Sequence, residues 1–129
     1  MVSEQALEAK PATYVVKWDY IYGSVLDGEY VEAGTRNGKP MYKQRNGPGI
    51  IFHESYGRKL PEDEGAPGWK VGFDDRSAHF NSHLRAVKKG SVKDDVPPEG
   101  KYWIQGRQNS WIGENYLNLH AFVKRKVAT

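Results

Sequence analysis

The sequence predicts an all-β fold: a strongly twisted antiparallel meander that curls into a small sandwich or half-barrel and carries terminal extensions. Three observations predict it. The pairs Asp27-Gly28, Asn37-Gly38 and Asn46-Gly47 recur at near-even spacing, and such pairs favour tight hairpins because their residues accept positive φ at little steric cost. Short runs of β-branched and aromatic residues lie between them, the composition of strands. Across 129 residues the chain carries 14 Gly, 7 Pro, 8 Tyr and 4 Trp, a balance of turns and rings that points away from a helix bundle.

The elements follow in order. Residues 1–12 are polar and predict a flexible extension, with Met1 to Lys10 suited to a short frayed helix that Pro11 closes. From Thr13 to Tyr22 the β-branched and aromatic residues predict a strand, ended by Gly23. Glu29-Tyr30-Val31-Glu32, Met41-Tyr42-Lys43-Gln44 and Ile50-Ile51-Phe52-His53 form the regular heart of the meander. Alternation turns Tyr30 and Tyr42 inward and leaves Glu29 and Lys43 in water. A long loop follows, acidic at Glu62-Asp63-Glu64, and then a strand in which Trp69, Val71 and Phe73 share one face. The rings of Tyr30, Tyr42, Phe52 and Trp69 are expected side by side on successive strands. Ala78-His79-Phe80 reads as a fifth short strand, Leu84 to Val96 as loop, Pro97-Pro98-Glu99-Gly100 as a rigid turn, and Tyr102-Trp103-Ile104 as the last strand. Ile112, Tyr116, Leu119 and Val123 fit one helical face, so Tyr116 to Val123 reads as a short C-terminal helix or an extended arm, with a strand as the alternative. The resulting division is an extension over residues 1–12, a β domain over residues 13–105 and a C-terminal arm with a basic tail over residues 106–129.

Composition excludes several classes of chemistry. Cysteine is absent, which removes disulfides, thiolate catalysis and Cys-ligated zinc. Nineteen Lys and Arg against sixteen Asp and Glu give +3, and the signs are mostly interspersed, which argues against a dedicated nucleic-acid binder. There is no run of 18 apolar residues, so no membrane span is expected; peripheral association stays open. The N-terminal residues lack an apolar signal region and carry Glu4 and Glu8. The expectation is therefore an intracellular protein, cytoplasmic or a mature organellar form, and not a secreted one.

Motifs of catalysis are incomplete. His79 and His83 stand four apart, but the Phe80-Asn81-Ser82 between them does not look helical and only Asp74 and Asp75 offer further ligands nearby, so no metal site is expected. The acidic clusters fall in turns, where Asp satisfies backbone N–H groups. Neither a G-x-S-x-G elbow nor a Walker A loop is present. No catalytic residue and no cofactor is assigned, and the chain is not expected to be an enzyme.

Gly28 with Tyr30, Gly34, Asn37-Gly38, Pro40 with Tyr42, Ile50 to Phe52, Trp69, Phe80, and Pro97-Pro98 with Gly100 and Trp103 stand in a specific order. In that order they resemble a β-repeat family of protist proteins that runs N-G-x-Y, N-G-x-P-x-Y, an apolar strand, a Trp-initiated strand and a P-P-x-x-G-W closure. The likeness spans Asp27 to Trp103, about three-fifths of the chain, and departs from the family pattern at Asp27, in the long loop before Trp69 and at Lys101-Tyr102. It implies a small β domain used for binding or scaffolding. The hairpins also resemble MORN repeats, but the short uniform period of those repeats is missing.

Trp18, Tyr20, Tyr22, Trp69, Trp103 and Trp111 are more rings than a small core easily hides. Core packing accounts first for Trp69, and for Trp18 as one of two roles. Partner binding is assigned to Trp18, Tyr20, Tyr22, Trp111 and Tyr116 with the basic tail Lys124, Arg125 and Lys126. The sequence-level expectation is a non-catalytic protein-interaction module, an accessory or structural subunit of a larger assembly, whose flanking aromatic arms dock on other protein subunits. The alternative is a module for glycan or single-stranded nucleic acid that uses Trp and Tyr as stacking platforms.

Overall fold

The computed structural model describes residues 13–19, 21–54, 68–74, 85–88, 90–105 and 120–126. Eight antiparallel strands follow one another round a closed barrel: β1 (Tyr14–Trp18), β2 (Gly28–Arg36), β3 (Lys39–Gln44), β4 (Gly49–Glu54), β5 (Gly68–Phe73), β6 (Arg85–Lys88), β7 (Gly100–Gln105) and β8 (His120–Arg125). Each strand pairs with the next in sequence, and β8 closes the ring on β1, from Tyr14 opposite Arg125 to Trp18 opposite Ala121. The all-β meander of the sequence analysis is present, and it is a complete barrel.

Local chemistry explains the hairpins. Asn37 and Gly38 both take positive φ, 55° and 79°, the mirror-image turn that matches the right-handed twist of the strands it joins. At the longer β3–β4 corner Asn46 alone takes positive φ, 61°. After β1 the chain makes a 3-10 helix, Ile21–Leu26, rather than staying extended to Tyr22. It crosses the end of the barrel and buries Leu26.

Inward positions fill the barrel. Tyr14, Val16 and Trp18 of β1, Tyr30 of β2, Tyr42 of β3, Ile51 of β4, Trp69, Val71 and Phe73 of β5, Ala86 of β6, Tyr102 of β7 and Ala121 and Val123 of β8 form one core with Leu26. An eight-stranded barrel has an interior just wide enough for side chains to occupy. The large rings of β1, β2, β5 and β7 are balanced by alanines on β6 and β8. Tyr14 and Tyr42 meet edge to face with centroids 5.0 Å apart.

The polar tips of these rings hold the two ends shut. At one end Tyr30 donates its hydroxyl to Leu26 O at 2.7 Å, and Gln44 Nε2 donates to Val25 O and Asp27 O. At the other end residues 90–99 lie across the opening. Trp69 Nε1 donates to Asp94 O, Tyr14 Oη to Pro97 O and Tyr102 Oη to Pro98 O, while His53 Nε2 sits 2.8 Å from Val92 O. Rings with an apolar body and one polar tip suit this task, since the body packs inside and the tip ties a loop.

Several expectations need correction. Residues 106–129 are not wholly an arm: β8 is a stave of the barrel, paired to β1 and β7. Where it is described, the segment read as a helix is strand from His120 onward, because two open neighbouring edges supply ladder partners that outweigh a local helical period. Tyr102-Trp103-Ile104 is therefore the penultimate strand. Arg85–Lys88, read as loop, is β6; it pairs on both sides, Ala86 opposite Val71 and opposite Ile104. Phe52 is not in the row of Tyr30, Tyr42 and Trp69. Register sets Phe52 opposite Lys70 and His53 opposite Trp69, so Phe52 faces out and His53 faces in, its ring 5.2 Å from that of Trp69. Outside the barrel, Phe52 is covered by the guanidiniums of Arg36 and Arg85 at 4.3 and 5.1 Å. The proposed strand Ala78 to Phe80 and the extension over residues 1–12 lie outside the described residues.

Candidate interaction face

The core side chains turn inward, and the outer face of the wall is what a partner would meet. Strand parity decides what appears there. On β7, Tyr102 points in, so Lys101 and Trp103 point out. On β8, Ala121 and Val123 point in, so His120, Phe122 and Lys124 point out. On β1 the outward residues are Val15 and Lys17. Register places Trp103 opposite His120, Phe122 opposite Lys101 on one side and Lys17 on the other, and Val15 opposite Lys124.

The result is a row of rings across two strands. The Trp103 and His120 rings lie 4.2 Å apart at 75°, and the His120 and Phe122 rings 6.0 Å apart. The outer two are open to solvent, Trp103 at 41% and Phe122 at 38%, with Val15 alongside at 36%. A contiguous apolar patch with a polar rim marks an interaction site more often than scattered exposed residues do.

The middle ring is held in place. Asp19, just past β1, accepts the backbone N–H of His120 at Oδ1, and its Oδ2 lies 3.3 Å from His120 Nδ1. The backbone N–H of Asp19 in turn donates to His120 O. His120 Nε2 is buried and makes no hydrogen bond among the described residues; the ring itself packs edge-to-face against Trp103.

The rim is cationic. Lys101 Nζ stands 6.0 Å from the centre of the Phe122 ring, and Lys17 reaches Asp27 at 3.2 Å while its side chain stays 78% exposed. Among the described residues Lys101 and Lys124 have no carboxylate partner. Lys39, Lys43, Lys70 and Lys126 are each paired, with Asp95, Asp74, Glu54 and Glu29 respectively.

The residues assigned to partner binding from sequence fare unevenly. Trp18 is 3% exposed and belongs to the core, so it offers no surface to a partner. Tyr20, Trp111 and Tyr116 lie outside the described residues, as does the Tyr22 side chain. Lys124, Arg125 and Lys126 are exposed at and beyond the end of β8. Lys126 is bound to Glu29, and that hydrogen bond lowers the Glu29 carboxyl pKa below the usual range. Lys124 borders the ring row. Trp103, His120 and Phe122 were not assigned as a site; the inward placement of Tyr102 and Val123 is the signal that would have turned them outward.

His79 and His83 lie outside the described residues. Among the described residues no cluster of three metal-ligating side chains occurs, and no helix is long and apolar enough to cross a membrane. Comparison with protein-family models, with curated proteins and with solved structures finds no match for this chain.

Proposed function

We propose that this chain is a non-catalytic protein-interaction module, an accessory or structural subunit of a larger assembly. The observation that carries the proposal is the exposed ring row of Trp103 and Phe122 on the outer wall of the barrel. Apolar rings left in water are costly unless something covers them, and Trp is prominent among residues that dominate binding energy at protein interfaces. The basic end of β8 adds electrostatic steering, each exposed charge contributing little by itself. On this reading the docking surface lies on β7, β8 and β1, and Tyr20, Trp111 and Tyr116 of the flanking arms lie outside the described residues.

The test is a W103A/F122A variant compared with the unaltered chain by cross-linking and size-exclusion chromatography in the native context. Both rings are more than half covered and Trp103 packs on His120, so the double variant should lose on the order of 1–3 kcal/mol, and its fold is confirmed by a cooperative thermal melt before elution is compared. The unaltered chain should elute in a larger species with a defined cross-link through this face, and the variant should elute alone. Identical elution of the two proteins would remove the face from any assembly role.

A further inference from the structure

We infer that the occupant of this face is an acidic segment of a partner protein, held by its side chains and not by addition of a strand. The inference rests on the interaction role proposed above and names the partner's chemistry.

The closed ring excludes strand addition here. β7 lies between β6 and β8, β8 between β7 and β1, and β1 between β8 and β2. None of the three offers an open ladder, so the backbone hydrogen bonds that an added strand would use are already taken. Recognition must come from side chains.

Charge then selects the partner. Phe122 stands between two lysines, Lys17 across one strand boundary and Lys101 across the other, and Lys124 follows beside Val15. Lys101 and Lys124 have no carboxylate partner among the described residues, whereas Lys39, Lys43, Lys70 and Lys126 do. Neighbouring strands lie about 4.8 Å apart and residues along a strand about 3.4 Å, so the backbones of Lys101 and Lys124, one strand and two residues apart, stand roughly 8 Å from each other. That is the span of about two to three extended residues. A segment with acidic residues at that spacing around an apolar residue would meet both ammoniums while covering Phe122.

The far end of the row favours a protein over a nucleic acid. Beside His120 sits the Asp19 carboxylate, 39% exposed. A phosphodiester chain carries charge at every nucleotide and would have to pass it. A polypeptide can present an apolar side chain to Trp103 and keep its carboxylates at the lysine end. The rings also interlock at 75° with the middle one 9% exposed, which is unlike a series of open faces on which successive bases stack.

The test uses three fluorescently labelled probes in anisotropy titrations at several salt concentrations. They are a peptide with two central leucines flanked by Asp and Glu, the same peptide with Lys in place of the acids, and a single-stranded oligothymidylate. The acidic peptide should bind the unaltered chain, weaken by about tenfold in K101E/K124E, and weaken with salt. The basic peptide should bind only K101E/K124E. The W103A/F122A variant, with its lysines intact, should also lose the acidic peptide. Equal binding of both peptides, tighter binding of oligothymidylate, or no binding of the acidic peptide overturns the inference. If the acidic peptide fails while W103A/F122A still breaks the native complex, the interaction role stands and only the partner's chemistry is wrong.

Discussion

The phenol oxygen of Tyr30 occupies the space in which a side chain at residue 49 would begin. A β-carbon on Gly49 would also lie 2.7 Å from Tyr30 Cζ and 2.7 Å from Gln44 Oε1. Both neighbours are fixed, since Tyr30 Oη is bonded to Leu26 O and Gln44 Oε1 accepts the N–H of Gly49 itself. G49A should therefore destabilise the barrel by about 1–3 kcal/mol through overpacking. Tyr30→Phe alone leaves the Leu26 carbonyl without that donor, at a cost of about 1 kcal/mol. The two losses should be less than additive in G49A combined with Tyr30→Phe, because the second change removes the clashing oxygen. Urea unfolding of the four proteins measures the coupling.

Alkaline pH should unfold the barrel through its tyrosines. Burial raises the pKa of Tyr14 and Tyr102, raises that of Tyr30 well above the ordinary value, and pushes Tyr42 up to about 12. In the unfolded chain the same phenols titrate near 10. The folded state then holds more protons than the unfolded state above that pH, so stability is full below about pH 10 and falls as pH rises past it. Thermal melts from pH 8 to pH 12 should show the loss together with a delayed tyrosinate absorbance; ordinary phenol titration in the folded protein would contradict it.

Ser91 is a small residue with a large structural duty. Its hydroxyl accepts the backbone N–H of Trp69 at 2.8 Å and donates to Lys88 O, which joins the start of β5 to the loop over the barrel's end. Ser91→Ala strands a buried N–H beside the largest core ring and should cost about 1–3 kcal/mol. Amide exchange at Trp69 should rise more than exchange at Val16, on the far wall. Equal change at both would mean the bond does not hold the cap.

Ending the chain before His120 tests whether the last strand is an arm or part of the wall. Its loss would expose the edges of β1 and β7 and open the core beside Ala121 and Val123. The shortened chain should aggregate or lose its near-ultraviolet circular dichroism. A soluble, cooperatively folded product would show that β8 is dispensable.

Legibility in the sequence followed the distance between partners. The β2–β3 hairpin was readable because Asn37-Gly38 carries its own turn geometry and the strands it joins lie beside it. Trp69, Val71 and Phe73 announced β5 by alternation alone. β8 was hidden because its partners are β1, across nearly the whole chain, and β7, while Tyr116, Leu119 and Val123 also satisfy a helical period. β6 was hidden because four residues carry little pattern of their own and take their conformation from two neighbours. The candidate face failed for a related reason. Trp103 was visible as a surplus ring, but its outward direction depends on Tyr102 facing in. For Phe52, a one-residue difference in register exchanged its place with His53.

The seam between β1 and β8 also sets an order of events in synthesis. Val16 pairs with Val123 and Trp18 with Ala121, so β1 leaves the ribosome about a hundred residues ahead of its partner β8 and must wait for it. Until then the nascent protein is an unclosed ribbon with two bare margins. The closing hydrogen bonds, from Asp19 N to His120 O and from Lys126 N to Thr13 O, can form only once residues 120–126 have left the ribosome. Contacts this far apart along a polypeptide make for slow closure, and a cell making this protein has reason to shield the open ribbon during that interval.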